Sequence, residues 1–270
     1  MDRRQGPLGK RFRLDDGRGM KVFLAALAML INLPAAAQDM RRSGAEFMSP
    51  EARAMQADDG ANPAMLSVLE GEALWSASPP GGAPACAGCH GDARSSMSGA
   101  AARHPAFDVA TGQAITLEGR IRSCRTERQK AEPFAWESRE LLALAAFVAL
   151  QSRGMRISPS DPRIAPAVAQ GRELYGQRLG RLNLACRHCH DDNAGQRLGS
   201  APIPEAHPTA YPIYRLEWQS LGSLQRRLRG CLTGVRARPY LYGSPEMVAL
   251  ESYLRDRAAG MMIESPGVRP

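Results

Sequence analysis

Lysine is almost missing from this 270-residue sequence, in which three of the 35 basic side chains are lysines and the rest are arginines. Hydrophobic residues make up 44% and charged residues 23%, which excludes wholesale disorder and collagen-like or coiled-coil fibres. The formal charge of +8 includes seven basic residues before position 38, and the remaining 28 basic and 24 acidic residues leave only +4. That excess is too modest to indicate a phosphate-backbone footprint, so we expect no nucleic-acid partner.

The sequence also lacks an apolar run long enough to span a bilayer. The run Val22–Leu33 has 12 residues, follows Met20-Lys21 and ends in the alanines before Gln38. This pattern predicts a secretory signal peptide over residues 1–37, with Met20 as an alternative true start and a lipid-free membrane anchor as the competing interpretation. We therefore expect an exported chain in an oxidising compartment, with no membrane span after cleavage.

Four of the six cysteines lie in two copies of the motif Cys-x-x-Cys-His. The copies are Cys86, Cys89 and His90, and Cys186, Cys189 and His190. This is the signature of c-type haem attachment, in which the two thiols bond to the vinyl groups and the histidine reaches the iron. A thioredoxin-like cysteine pair does not need a following histidine in both copies. A structural zinc site usually has a second ligand pair about 12 to 20 residues further on, and neither copy has one. The motifs predict two covalently bound haem c groups, with His90 and His190 as iron ligands.

The resemblance between the two halves extends beyond the motifs. At an offset of 100 residues Gly71–Trp75 matches Gly171–Tyr175, after helix-start signals at Asn62-Pro63 and Asp161-Pro162. At an offset of 107 residues seven positions match, and among them Arg120, Arg122 and Cys124 match Arg227, Arg229 and Cys231. A closing helix is predicted in each half, around residues 140–144 and 246–250.

Each half is therefore predicted to run as helix, haem motif, long loop, Arg-x-Arg-x-Cys segment and closing helix. This order predicts a mainly α fold of two tandem class I cytochrome c-like domains with long haem-wrapping loops. We place the N-terminal domain at residues 38–157 and the C-terminal domain at residues 158–270, because turn residues and a fresh helix start lie at the boundary.

Spacing alone leaves more than one candidate for the ligand on the far side of each iron. The methionines and the free histidines His104 and His207 are poorly placed or unmatched between the halves. Cys124 and Cys231 occupy equivalent positions, 34 residues after His90 and 41 after His190, so we favour them as the distal ligands. A disulfide between these two cysteines, and ligation by methionine or histidine, are the alternatives.

The segment from Tyr211 to Cys231, together with the signal peptide and the two haem motifs, resembles the SoxA subunits of the SoxAX cytochromes. These are L-cysteine S-thiosulfotransferases of periplasmic sulfur oxidation, and the resemblance covers nearly all of the mature chain. It implies that Cys231 is both a haem ligand and the catalytic cysteine, carrying an extra sulfur as a persulfide. It also implies that Arg227 binds substrate.

The same resemblance implies the reaction and its partners. Thiosulfate would be coupled oxidatively to a cysteine of a SoxYZ-like sulfur carrier protein, and two electrons would pass to a SoxX-like monohaem cytochrome c subunit. The arginines around Cys231 are consistent with an anionic substrate such as thiosulfate, because guanidinium groups bind oxyanions well.

Two other functions remain open from the residues. A pure electron-transfer dihaem cytochrome c would need no reactive Cys231, and a dihaem peroxidase would want an open distal position and usually a longer chain. Because Arg120 occupies the place of Arg227 in the first half, both arginines could instead pair with haem propionates.

Overall fold

The computed structural model describes residues 39–159 and 161–270, so the predicted signal peptide lies outside the described residues. Within these ranges, no helix combines the length and the apolar character that crossing a membrane requires.

The described residues contain ten α-helices, which supply most of the regular structure. The helices are α1 Pro50–Ala57, α2 Ala64–Ser76, α3 Cys86–His90, α4 Ala93–Ser96, α5 Leu117–Glu127, α6 Arg139–Leu150, α7 Ala165–Gly176, α8 Cys186–His190, α9 Leu224–Gly234 and α10 Pro245–Arg257. Short 3₁₀ turns lie at Gly44–Phe47, Ala101–Arg103 and Pro162–Ile164. The strands have two or three residues each: β1 Ala106–Asp108, β2 Gln113–Ile115, β3 Arg197–Leu198, β4 Ala201–Pro202, β5 Ile213–Arg215, β6 Ser220–Gly222 and β7 Gly267–Arg269.

Two helix pairs repeat the same close packing. Helix α2 packs on α6, and helix α7 packs on α10. A Cβ atom at Gly71 would lie 2.1 Å from the backbone oxygen of Ala143, and one at Gly171 would lie 2.0 Å from that of Ala249. Only glycine allows the backbones to come this close, so the glycines that recur in the sequence mark the two helix crossings.

Equivalent side chains start the helices of the two halves. The hydroxyl groups of Thr116 and Ser223 accept hydrogen bonds from backbone N–H groups in the first turns of α5 and α9, both at 3.1 Å. Ser138 and Ser244 cap α6 and α10 in the same way. These caps satisfy N–H groups that the helices leave without partners, which fixes where each helix begins.

The helix starts predicted before α2 and α7 differ slightly in the structure. The side-chain oxygen of Asn62 accepts from the N–H of Ala64 at 3.0 Å, and α2 begins at that alanine. Asp161 instead caps the 3₁₀ turn Pro162–Ile164, which leads into α7. The capping side chains are the predicted ones, but the second opens a tighter turn before the α-helix.

A β-hairpin precedes each of α5 and α9. Strands β1 and β2 pair antiparallel with Ala106 opposite Ile115, and β5 and β6 pair with Ile213 opposite Gly222. The two registers coincide at the offset of 107 residues. Strand β7 adds a third strand parallel to β5. The hairpins were not predicted, because strands of two or three residues show no hydrophobic alternation.

The hydrophobic core is shared between the halves. The cluster around Val68, Trp75 and Phe147 of the first half also contains Leu221 of the second. A further cluster joins both halves through buried side chains at their ends: Ala101, Ala102, Ala149, Ile157, Ala258, Met261 and Ile263. The chain from residue 41 to residue 270 accordingly forms one compact unit.

Buried charged groups also bridge the halves. The guanidinium of Arg255 on α10 donates to the backbone oxygens of Ala101 and His104 in the first half and of Pro208 in the second. Burial, with smaller contributions from neighbouring charges, raises the pKa of Glu118 to about 7 and that of Glu251 to about 8. These buried carboxyl groups therefore hold protons far more tightly than exposed ones.

Candidate functional site

Each Cys-x-x-Cys-His motif forms a short helix, α3 or α8, after the first long helix of its half. An aromatic side chain near the end of that long helix holds the residue that follows the histidine. The indole of Trp75 donates to the backbone oxygen of Gly91 at 3.1 Å. The hydroxyl of Tyr175 donates to the carboxylate of Asp191 at 2.7 Å. The repeated aromatics thus anchor the predicted haem motifs.

In the second half, the structure brings together His190 and Cys231, two of the residues predicted as iron ligands. Their side chains are hydrogen-bonded to each other. Nδ1 of His190 lies 2.7 Å from the backbone oxygen of Pro204. A proton on Nδ1 would leave Nε2 as the nitrogen available to a metal, the usual arrangement around a ligating histidine.

The Cys231 thiol lies in a cationic environment. Burial raises its pKa, but the hydrogen bond to His190 and the charges of Arg227, His190 and Arg215 outweigh burial and leave the pKa below its usual value. The thiolate is the nucleophilic form of cysteine and also the form that ligates a metal. The site therefore favours both predicted roles of this residue chemically.

In the first half, Cys124 lies near the two cysteines of the motif, Cys86 and Cys89. Burial is the main cause that raises the pKa of the Cys124 thiol. The ring of His90 packs on Trp75 with 5.7 Å between centroids. The structure thus brings Cys124 to the haem motif of this half, where the charges of Arg120 and Arg128 lower the pKa of its thiol and that of Glu127 raises it. No disulfide joins Cys124 and Cys231, the pair for which a disulfide was the alternative, in the part of the chain that the structure describes.

The other ligand candidates from the sequence are histidines and methionines outside the two haem motifs. Nδ1 of His104 lies 2.8 Å from the backbone oxygen of Ala100. Nδ1 of His207 lies 2.9 Å from that of Arg42. The side chain of Met247 is fully buried in α10.

The arginines around Cys231 divide by what they contact. Arg226 lies over the ring of Trp218 at 4.2 Å. Arg229 lies over the ring of Tyr242 at 4.5 Å and donates to the backbone oxygen of Tyr240. These two arginines are therefore committed to packing contacts. In the part of the chain that the structure describes, Arg227 forms no ion pair, which leaves its charge available.

Sequence reasoning missed Arg215. It ends strand β5, and its charge acts on both Cys231 and Arg227. The offset of 107 residues pairs it with Asp108, which forms an ion pair with Arg120 at 2.7 Å in the first half. A search for positions at which the two halves carry opposite charges would have found it.

The donor sets fit haem c. Each half brings two cysteines at the attachment spacing, a histidine and one further thiol into one region. Among the described residues, no group of three or more His, Cys, Asp or Glu side chains could hold a metal ion. A porphyrin supplies four nitrogen donors itself, so that two axial ligands from the chain are enough. An open cavity of about 360 Å³ also borders His190.

Comparison with known proteins identifies the family. The model of the SoxA/TsdA cytochrome c domain matches residues 70–157 and again residues 170–263. The L-cysteine S-thiosulfotransferase subunit SoxA of Pseudaminobacter salicylatoxidans is 34% identical over 84% of this chain and 80% of its own. That of Rhodovulum sulfidophilum is 34% identical over 86% of this chain and 81% of its own.

A solved structure gives the same result. The crystal structure of SoxXA from P. pantotrophus superimposes with a TM-score of 0.82 at 33% identity, covering 85% of this chain and 87% of the other. The two family matches and this superposition confirm the predicted mainly α fold of tandem cytochrome c-like halves. They also confirm the resemblance found in the sequence: the chain belongs to the SoxA family of haem c proteins.

Proposed function

We propose that this chain is the dihaem subunit of an L-cysteine S-thiosulfotransferase, which couples thiosulfate to a cysteine of a sulfur carrier protein. The reaction forms one S–S bond. A carrier thiol and thiosulfate give an S-thiosulfonate, one proton and two electrons. The name that the relatives carry supports this activity. The observation that carries it here is the position of the Cys231 thiol, beside His190 and the charges of Arg227 and Arg215.

The chain's own residues can support two successive steps. In the first, the Cys231 thiolate and the outer sulfur of thiosulfate form an S–S bond and release two electrons. In the second, the carrier thiolate attacks the sulfur attached to the sulfonate. The S-thiosulfonate passes to the carrier, and Cys231 leaves as a thiolate, so that charge balances. The lowered pKa of Cys231 favours it as both nucleophile and leaving group.

Arg227 is proposed to bind the sulfonate end of thiosulfate. A guanidinium matches the planar set of oxygens and remains charged throughout. Its lack of an ion pair among the described residues supports this role over a purely structural one.

We propose two covalently bound haem c groups, one for each motif. Cys86 and Cys89 would attach the first, and Cys186 and Cys189 the second. The residues that would hold the two irons are His90 with Cys124 in the first half and His190 with Cys231 in the second. Haem c, when bound, supplies a one-electron acceptor, and a thiolate ligand lowers its potential relative to methionine.

Two partners and a location belong to the proposal. The two electrons would pass to a SoxX-like monohaem cytochrome c subunit, which the SoxXA title of the superimposed structure supports. The substrate cysteine would belong to a SoxYZ-like carrier. The signal-type sequence before residue 38 supports a periplasmic location. The proposed boundary between the two halves lies between residues 157 and 158.

The test compares Cys231→Ala with Cys124→Ala in the holoprotein purified with its cytochrome partner. We expect both variants to keep two covalent haems, measured by mass and by pyridine haemochrome content. Only Cys231→Ala should lose thiosulfate-dependent modification of a carrier cysteine, followed by mass spectrometry of the carrier.

Retained modification in Cys231→Ala would reject this residue as the nucleophile. A wild-type complex that exchanges electrons but never modifies the carrier would instead support the pure electron-transfer alternative. High-spin haem that consumes peroxide would support the peroxidase.

A further inference from the structure

The two halves carry opposite charges at one equivalent position. In the first half, Asp108 on β1 accepts from Arg120 on α5 at 2.7 Å, and the Asp108 side chain is only 4% exposed. The hairpins share their register, so Arg215 on β5 stands where Asp108 stands, and Arg227 stands where Arg120 does. A neutralised pair in one half is therefore a pair of like charges in the other.

Two neighbouring cations in a partly buried place are unfavourable without an anion. The side chain of Arg215 is only 14% exposed. Burial lowers the pKa of its guanidinium, and the charge of Arg227 lowers it further. The two groups thus repel each other across a region that also contains Cys231.

The internal partners of Arg215 do not fully compensate it. One terminal nitrogen of its guanidinium lies 2.8 Å from the carboxylate of Glu217, which is itself 59% exposed, and the guanidinium carbon lies 5.2 Å from the centre of the Trp218 ring. Its Nε is buried and has no hydrogen-bond partner. A buried N–H without a partner is costly, so this group has donor capacity for a further acceptor.

We propose that Arg215 is a second substrate-binding residue, which together with Arg227 holds the dianionic substrate beside Cys231 and selects for double negative charge. This inference rests on the proposed function and deepens it by assigning a specificity residue. The first half lacks such a pair, since Asp108 neutralises Arg120 there. The residue at this equivalent position, Asp108 in the first half and Arg215 in the second, therefore determines which of the two cysteines faces an anion-binding site.

The test replaces Arg215 by aspartate, which is the equivalent residue of the first half, by the neutral glutamine and by the positively charged lysine. Arg215→Asp should pair with Arg227 and remove the site; Arg215→Gln should remove one cation, and Arg215→Lys should keep the charge but lose the fork. We expect the KM for thiosulfate to rise about tenfold to a hundredfold in the glutamine variant, and more in the aspartate variant. The lysine variant should lie between wild type and glutamine, and kcat should fall much less than kcat/KM.

A binding measurement accompanies the kinetics. Calorimetric titration of the holo complex with thiosulfate, without the carrier, should show the same loss of affinity. Glu217→Gln is the matched control, because it removes the internal partner of Arg215 but leaves its charge. We expect this control to bind thiosulfate as well as wild type or better.

Unchanged KM and affinity in Arg215→Asp would overturn the inference while leaving the proposed function intact. A Glu217→Gln variant that reproduces the defect would also overturn it, because Arg215 would then act only by holding the loop. A wild-type complex that neither binds nor couples thiosulfate would overturn both. Loss of activity in Cys231→Ala with normal thiosulfate affinity would support the separation between binding by the arginines and chemistry at the sulfur.

Discussion

At the scale of single residues, the same side chain acquires different chemistry from its neighbours. Cys124 and Cys231 occupy equivalent positions on α5 and α9, but the thiol pKa is raised in the first and lowered in the second. Burial acts on both in the same direction. Two arginine charges lower the thiol pKa in each half, those of Arg120 and Arg128 for Cys124 and those of Arg227 and Arg215 for Cys231. The difference comes chiefly from the hydrogen bond between Cys231 and His190, which has no equivalent at Cys124 among the described residues. The second cysteine is thus the better nucleophile without any change of residue type.

Arg227 and Arg229 should respond differently to the same substitution. Arg227→Gln should raise the KM for thiosulfate about tenfold, with little change in thermal stability, because its charge serves the ligand. Arg229→Gln should lower stability by about 1 kcal/mol, because it loses the contact with Tyr242 and the hydrogen bond to Tyr240. Steady-state kinetics and thermal unfolding of both variants check this. Equal KM changes in the two would contradict the division of roles.

Cys124→Met tests the proposed ligand of the first haem. A thioether in place of a thiolate should raise the potential of one haem and leave the other unchanged, because ferric iron loses an anionic donor. A potentiometric titration followed by absorbance checks the shift, with thiosulfate coupling expected to persist. Identical titration curves and spectra for the variant and wild type would show that Cys124 does not ligate iron.

At the scale of elements, the two glycine crossings position the rest of each half. The contact of Gly71 with Ala143 and that of Gly171 with Ala249 bring α2 onto α6 and α7 onto α10. Each first helix then leads directly towards a haem motif. Backbone contact of this kind cannot be relieved by rotating a side chain, so the crossings fix helix spacing rigidly.

Gly71→Ala and Gly171→Ala should each destabilise the protein by about 2 kcal/mol or more, because the new methyl group would overlap a backbone oxygen. Gly176→Ala is the matched control, since a Cβ there has no neighbour within 4 Å. We expect the control to change stability by less than about 1 kcal/mol. Denaturant unfolding of the three variants measures these differences. Equal stability of Gly171→Ala and Gly176→Ala would mean that the helices can separate without cost.

Sequence patterns predicted these elements unevenly. Helix pairs, capping residues and the positions of Cys124 and Cys231 could be read from the repeat, because helices leave spaced apolar and capping signals. The Arg-x-Arg-x-Cys segment was expected to follow a long loop, and it lies on α5 and α9 after hairpins too short to recognise. Arg215 was missed because comparing the halves for identity overlooks a position at which they differ in charge.

At the scale of the whole molecule, the halves depend on each other. Their shared cluster consists largely of alanines such as Ala101 and Ala149, which carry no recognisable pattern in the sequence. Arg255 adds hydrogen bonds from α10 to backbone oxygens of the first half. Which small residues meet across the halves is set by the tertiary arrangement, and for this reason the sequence did not reveal a common core.

The buried carboxyl groups at this junction should make stability depend on pH. In the unfolded chain the pKa of a glutamate is near about 4.3, whereas it is raised to about 7 for Glu118 and about 8 for Glu251 in the folded protein. The folded state thus holds more protons between these values. The stability that these two groups contribute is fully present below the unfolded pKa, and it is lost as pH rises through the folded pKa values.

We expect the free energy of unfolding to fall by several kcal/mol, at up to about 1.4 kcal/mol per pH unit for each of the two groups, between about pH 5 and about pH 8.5. The double variant Glu118→Gln/Glu251→Gln removes the titrating groups and should flatten this slope. Denaturant unfolding of the holoprotein across the range measures it. A wild-type slope that the double variant leaves intact would assign the pH dependence to other groups.

The common core has a consequence for how such a chain can vary. Substitutions that erased Cys86, Cys89 and His90 would remove the proposed attachment site of one haem, yet they would spare the alanine-rich junction through which the first half supports the second. Deleting the whole half would strip Met261, Ile263 and Ala258 of their packing partners. A lineage that no longer needs the proposed first haem can therefore lose the motif, but it must keep the helices of the first half that pack against the second.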